Sequence, residues 1–229
     1  MDNTLSFVVR GRYALFTDPF SKTGGDKSSY PVPTYEALKG VMKSVYWKPT
    51  IIWIVKRVRI LNPIRMESKG VKPLKMAEGG NTLAYYSYLE DPAYQVEVKF
   101  IWNLHRGEYE ADRIEGKHYT IAADMIRKGG RRDIFLGTRE CQASVEPCVF
   151  GEGEGYYDHS GKREFGIMFH GFSYPDETGI DELRTRFWKP SMVDGVIEFP
   201  RPEDCTMTRF IRPMKAVPLN GSPLKKEAL

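Results

Sequence analysis

The order in which strand-like and helix-like spacing alternates limits this chain's fold more than any other feature. Leu5 to Phe16 is rich in Phe, Val, Tyr and Leu and predicts a strand. Pro33-Thr34 then opens a helix with Thr34 as N-cap, and Tyr35, Leu38, Val41, Met42 and Val45 recur on one apolar face. Lys48-Pro49 ends that helix, and Thr50 to Leu61 predicts a long strand in which Val58 and Ile60 alternate with Arg57 and Arg59, giving that half one wet face. Asn62 to Gly80 is an irregular, basic insertion or weak hairpin. Leu83 to Leu89 and Ala93 to Trp102 predict strands joined at Glu90-Asp91-Pro92. A second helix spans Gly116 to Lys128 and stops at Gly129-Gly130, where glycine tolerates a left-handed cap. A strand around Glu140 to Phe150 follows.

That order is βαββαβ. It predicts an α+β class with a ferredoxin-like (RRM-like) domain over residues 1–150 and an inserted hairpin. Beyond the glycines and acids of Gly151 to Gly155, strand-like segments at Phe165 to Tyr174, Arg184 to Trp188 and Val196 to Phe199 predict a small antiparallel β domain over 156–216. A polar tail occupies 217–229.

The same topology makes a prediction about chemistry. With the two helices antiparallel on one sheet face, the end of the first lies beside the start of the second. Tyr46 then meets Lys117 and His118. A helix N-terminus offers unpaired amides and partial positive charge, which favour a phosphate. That field and the neighbouring Lys117 both disfavour a protonated imidazole, so His118 is expected neutral and able to accept a proton. In RNA the 2′-hydroxyl is an internal nucleophile beside the scissile phosphate, and a base that removes its proton needs neither a metal nor an external water. Lys117 would stabilise charge on the phosphate oxygens. Tyr46 would orient the ribose or phosphate, or protonate the leaving oxygen. A Lys-His pair at a helix start and a buried tyrosine are also ordinary structural features.

Net charge is only +4, so the bulk balance does not point to a polyanion, but its distribution does. Arg127, Lys128, Arg131 and Arg132 cluster around Gly129 and Gly130, and Arg10, Arg12, Lys22 and Lys27 cluster near the start. The glycines, with Gly137, would let the backbone approach a ligand while the cations hold phosphates. By the topology this loop falls at the far end from Tyr46, where Lys22 and Lys27 of the long Asp18 to Val32 loop would continue an RNA track. A glycine-ended helix followed by a solvated charge run accounts for the same residues. Trp47, Trp53, Trp102 and Trp188 are expected mostly in core or interface, although Trp47 could stack a base. His105 and His159 fall in turns, and His170 inside a strand reads as structural.

The cysteines, Cys141, Cys148 and Cys205, form no CxxC pair, so neither a disulfide framework nor a zinc site is expected, and no other metal or cofactor is implied. MDNTLSF has no leader character, and the strongly apolar run Ile51 to Val55 is far short of the roughly 20 residues of a membrane span. A soluble, cytoplasmic protein without a membrane partner is expected.

Several segments resemble one family: R-G-R-Y-A-L-F at Arg10 to Phe16, S-S-Y-P-V-P-T at Ser28 to Thr34, Y-W-K-P at Tyr46 to Pro49, I-R-K-G-G-R-R-D-I-F-L-G-T-R-E-C at Ile126 to Cys141, and G-I-M-F-H at Gly166 to His170. The family is the subtype I-C (Dvulg) member of the CRISPR-associated RAMP proteins, the "d" branch of the fifth Cas family, and the resemblance runs from Leu5 to about Phe199. It implies metal-independent cleavage of precursor CRISPR RNA within the repeat, leaving a 2′,3′-cyclic phosphate and a 5′-hydroxyl. It also implies retention of the mature RNA's 5′ handle among the other subunits of a Cascade complex. The family's catalytic Tyr, Lys and His fall on Tyr46, Lys117 and His118. The other reading is a non-cutting RNA-binding subunit, as relatives in other CRISPR subtypes are.

Overall fold

The computed structural model describes residues 3–19, 21, 25–74 and 79–218. The chain runs β1 (Thr4–Gly11), β2 (Tyr13–Ala14), β3 (Lys27–Ser28), α1 (Tyr35–Val45), β4 (Ile51–Ile60), β5 (Met66–Val71), β6 (Ala84–Glu90), β7 (Ala93–Trp102), α2 (Lys117–Arg127), β8 (Ile134–Phe135), β9 (Gln142–Pro147), β10 (Lys162–Glu164), β11 (Met168–Ser173), α3 (Pro175–Thr178), β12 (Glu182–Trp188), β13 (Ser191–Val193), β14 (Val196–Glu198) and β15 (Met207–Pro213). The class is α+β, with mostly antiparallel sheets and few helices.

Among the described residues, an eight-stranded sheet carries the order β10-β13-β14-β4-β7-β1-β9-β8. Its long central strands β4, β7, β1 and β9 are antiparallel at each junction. α1 packs on β4 and α2 on β1 and β9, and the helices touch each other over a short stretch. Thr34 caps α1 as expected, accepting from the Ala37 amide at 3.2 Å. Trp53, Tyr35 and Phe7 are fully buried between these layers. Each such burial contributes roughly 1.5–3 kcal/mol.

The Asn62 to Gly80 insertion supplies β5, which pairs with β6 in a second sheet that also holds β2 and β3. The turn between β6 and β7 comes at Glu90-Asp91-Pro92, with Asp91 at a φ of +46°. The segment after 156 is divided: β10, β13 and β14 extend the main sheet beside β4, while β11, β12 and β15 form a separate three-stranded sheet over α1. That cover explains why Lys39 on α1 is buried, paired with Glu177 of α3 at 2.5 Å.

The expected wet face of β4 is wet only at Arg57, whose side chain stays 37% exposed. Arg59 is buried because the chain after β9 wraps over it. The guanidinium donates to Asp158 at 2.5 Å and to the carbonyls of Gly153 at 2.8 Å and Glu152 at 3.3 Å. The glycines and acids of that stretch let a backbone fold tightly around one cation.

Gly137 is also used internally. It sits at a φ of +93°, and a Cβ there would lie 2.0 Å from the Leu15 carbonyl oxygen. Backbone in that region is strained for any L side chain, and the neighbour in the way is itself backbone. Gly137→Ala should therefore lower stability by about 3 kcal/mol or more, read from urea denaturation. A loss below about 1 kcal/mol would mean the segment at Leu15 can move away at little cost.

Candidate active site

α1 ends on Tyr46, whose amide bonds back to Met42 at 2.8 Å while its backbone turns extended (φ −156°, ψ 129°). The Trp53 indole N–H donates to the Tyr46 carbonyl at 2.8 Å, so the tyrosine is held from β4 as well. α2 starts after Gly116 in the left-handed region, with no side chain capping its first amides. Between β7 and α2 a 3-10 turn, Gly107–Asp112, delivers Asp112. Arg113 fixes that turn by donating to the carbonyls of Asn103 at 3.0 Å and Arg106 at 3.2 Å.

Tyr46, Lys117 and His118 do converge, through Asp112. The Nε2 of His118 lies 2.8 Å from the Asp112 carbonyl oxygen. A carbonyl only accepts, so Nε2 carries hydrogen. In the neutral ring Nδ1 then holds the lone pair, and the Tyr46 hydroxyl, 2.8 Å away, donates to it. The Asp112 carboxylate is 3.5 Å from Nε2, accepts from Thr50 Oγ1 at 2.6 Å, and is paired with the Lys117 ammonium. Phe100 and Trp102 meet the imidazole in T-shaped contact. His118 is 0% exposed and Tyr46 3%, whereas the Lys117 side chain is 37% exposed. Lys117 is thus the solvent-facing member, Tyr46 has a thin edge, and His118 is reached only through its partners.

The charges follow this arrangement. The Lys117 hydrogen bond, then that from Thr50, holds the Asp112 carboxyl below its ordinary range. Burial, reinforced by the Asp112 charge and opposed by Arg131, pushes the Tyr46 phenol up to about 12. The hydroxyl is therefore a proton carrier that keeps its hydrogen until a base takes it.

The Arg131 influence marks a correction. The basic loop does not lie at the far end from Tyr46. Gly129 and Gly130, at φ of +80° and +104°, close a Schellman turn in which the Gly129 amide bonds to Ile126 at 3.0 Å and that of Gly130 to Met125 at 2.8 Å. The reversed chain hands the Arg131 and Arg132 amides to the carbonyls of Val45 (3.2 Å) and Ser44 (3.1 Å), which the end of α1 leaves without helical partners. The remaining cations are more scattered. Arg127 pairs with Asp124 and is exposed, as is Lys128. Lys27 sits on β3 in the second sheet, 4.8 Å over the Tyr86 ring. Lys22 lies outside the described residues.

Sequence reasoning missed Asp112 and Thr50. Asp112 stands five positions before Lys117 with Gly116 between, a spacing that matches no helix period, and Thr50 follows Pro49 as an apparent strand opener. An acid upstream of a Lys-His pair was the available signal. His170 is structural as expected: buried, stacked on Tyr35 at 4.2 Å, and pushed down to about 3 by burial and then by Arg186. Among the described residues no group of His, Cys, Asp and Glu is placed to hold a metal ion, and no helix is long and apolar enough to cross a membrane.

Comparison with known proteins gives a consistent set of relatives. A family model, Cas_Cas5d, described as CRISPR-associated protein (Cas_Cas5), matches residues 4–200. A CRISPR pre-crRNA endoribonuclease Cas5d of Thermus thermophilus is 27% identical over 190 residues, covering 78% of this chain and 77% of that protein. A protein of the same description from Mannheimia succiniciproducens is 38% identical over 68 residues, a match spanning 30% of this chain and 29% of that protein. A crystal structure of a CRISPR-associated protein superposes with a TM-score of 0.73 at 35% identity, and the functionally uncharacterized SMU1763c of Streptococcus mutans with 0.72 at 36%. Each alignment covers 91% of this chain and 97% of the other.

The depressed Asp112 carboxyl makes a pH-dependent contribution. Its charge stabilises the fold fully above the ordinary value of 3.8, and this is lost as pH falls through the lower folded value. Urea midpoints of wild type and Asp112→Asn should therefore differ at neutral pH and converge in acid. A difference that stays constant from neutral to acid pH would contradict the Lys117–Asp112–Thr50 arrangement.

Proposed function

This chain belongs to the Cas5d family of CRISPR-associated proteins, and from that premise we propose that it is an endoribonuclease that cuts precursor CRISPR RNA within the repeat and then holds the 5′ handle as a Cascade subunit. The family relatives named pre-crRNA endoribonucleases support the activity. The observation that carries it is the hydrogen-bonded series Asp112–His118–Tyr46 with Lys117 on its open side. The βαββαβ order of β1, α1, β4, β7, α2 and β9, with their strand order in space, supports a ferredoxin-like core of the kind RNA-binding domains use.

The chemistry is transesterification at phosphorus. Both ring nitrogens of His118 are engaged and the ring is sealed, so it acts on the ribose through Tyr46. The 2′-hydroxyl gives its proton to the Tyr46 oxygen as the Tyr46 proton passes to His118 Nδ1. The new imidazolium is stabilised by the Asp112 carboxylate 3.5 Å from Nε2. The 2′-oxygen attacks phosphorus in line, forming the 2′,3′-cyclic phosphate, and the bond to the 5′-oxygen breaks. Lys117 meets the charge on the phosphate oxygens and supplies the proton that completes the 5′-hydroxyl. Because the nucleophile is carried by the substrate, no metal and no cofactor is required by this route. Arg131 and Arg132, with Arg127, Lys128, Lys27 and Lys22, are assigned to the RNA backbone, the first two beside the cut. RNA and neighbouring Cascade subunits are the partners, and the cytoplasm is the proposed location.

His118→Ala should lose at least about 100-fold in single-turnover rate, as general acid–base groups typically do. Its affinity for the repeat RNA should stay within a few-fold, because phosphate contacts dominate. Lys117→Ala, at a more exposed position, should also slow the reaction without risk to the core, and wild-type cleavage should persist in excess EDTA. Cleavage by His118→Ala at the wild-type rate would place the active site elsewhere. A wild type that binds the repeat and leaves it intact would make the chain a non-cutting subunit.

A further inference from the structure

We propose that the cleft beside the cutting residues is a base-stacking subsite, in which Trp47 receives one unpaired RNA base while Arg131 and Arg132 hold its phosphates. It deepens the nuclease reading by assigning the nucleotide that adjoins the scissile phosphate.

The cleft encloses about 270 Å³ and is lined by Lys43, Ser44, Trp47, Arg131 and Arg132. Its composition is unusual for a solvated dimple: an indole, a hydroxyl and three cations, with no acid. Trp47 is 39% exposed, while Trp53 is fully buried and Trp188 nearly so. An aromatic plane left open beside cations has the makings of a single-strand binding site, since every base offers a π-face and the cations follow its backbone.

Two further observations separate this cleft from a run of surface charge. Lys43 is already paired with Glu177 at 3.1 Å, but among the described residues neither Arg131 nor Arg132 has a carboxylate partner. Those guanidinium groups are available to phosphate. Their backbone is also fixed, because both amides are bonded to the last turn of α1. The cations and the indole therefore hang from the same helix end, and little ordering of the backbone remains to be done on binding. Trp47 directly follows Tyr46, so the cleft and the Tyr46 phenol share the C-terminal end of α1.

The test measures binding and is independent of cleavage. Wild type, Trp47→Phe and Trp47→Ala, each checked for native circular dichroism, are titrated at fixed salt with the repeat RNA of the organism's own array. They are also titrated with copies carrying a single abasic nucleotide at each position around the cut. One position should respond. There the abasic RNA should bind wild type more weakly by roughly 5- to 150-fold, the range of one base–aromatic stack. The same abasic RNA should lose nothing further on Trp47→Ala, and Trp47→Phe should keep most of the affinity. Equal binding of all RNAs by Trp47→Ala and wild type overturns the subsite, as do losses that simply multiply at every position. A protein that shows the coupling yet leaves RNA intact keeps the subsite and removes the nuclease reading. One that cuts without the coupling does the reverse.

Discussion

A backbone carbonyl can accept a hydrogen bond but never donate one, and at Asp112 this sets the state of the whole site. It fixes hydrogen on His118 Nε2, leaves the lone pair on Nδ1, and so turns the Tyr46 hydroxyl toward the ring as a donor. Everything around it serves to hold that carbonyl still. Thr50 and Lys117 grip the Asp112 side chain, Arg113 ties the turn to the end of β7, and Phe100 and Trp102 meet the imidazole edge to face. A sealed imidazole cannot meet a substrate directly. In the proposed reaction Tyr46 meets it instead, and the high affinity of its phenol for its proton means that it would act only with the base behind it.

The main fold was legible because its signals are local. Thr34 at the N-cap, the 3.6-residue recurrence from Tyr35 to Val45 and the Gly129-Gly130 stop each report on a few neighbouring residues. The meeting of Tyr46 with His118 followed from their order alone. The strands β10, β13 and β15 were not legible: β10 and β13 hold three residues each, and β15 is exposed along most of its length and so carries no buried face. Where strands would pair was also beyond local pattern: nothing in Lys162 to Glu198 announces that part of it joins the main sheet and part covers α1.

The errors at the site have the same origin. Asp112 is tied to His118 by a main-chain oxygen, and main-chain acceptors are present at every residue, so composition cannot single one out. Helices lying side by side along their lengths would put the basic loop at the far end from Tyr46, but these touch over a short stretch and a Schellman turn carries the chain back to the end of α1. The correction changes the function of that loop. It brings Arg131 close enough to oppose the rise in the Tyr46 phenol, and it makes the proposed phosphate contacts neighbours of the proposed cut.

The central claim is that the substrate brings its own nucleophile and the buried series removes its proton. The direct measurement is single-turnover cleavage of a repeat RNA with one 2′-deoxy nucleotide immediately before the cut. The account predicts that this RNA binds within a few-fold of the all-ribose form, because its phosphates are unchanged, and is not cut at that bond. Cleavage there at a rate near that of the unmodified RNA would show that the nucleophile comes from elsewhere, and that the Tyr46–His118 pair has no proton to take.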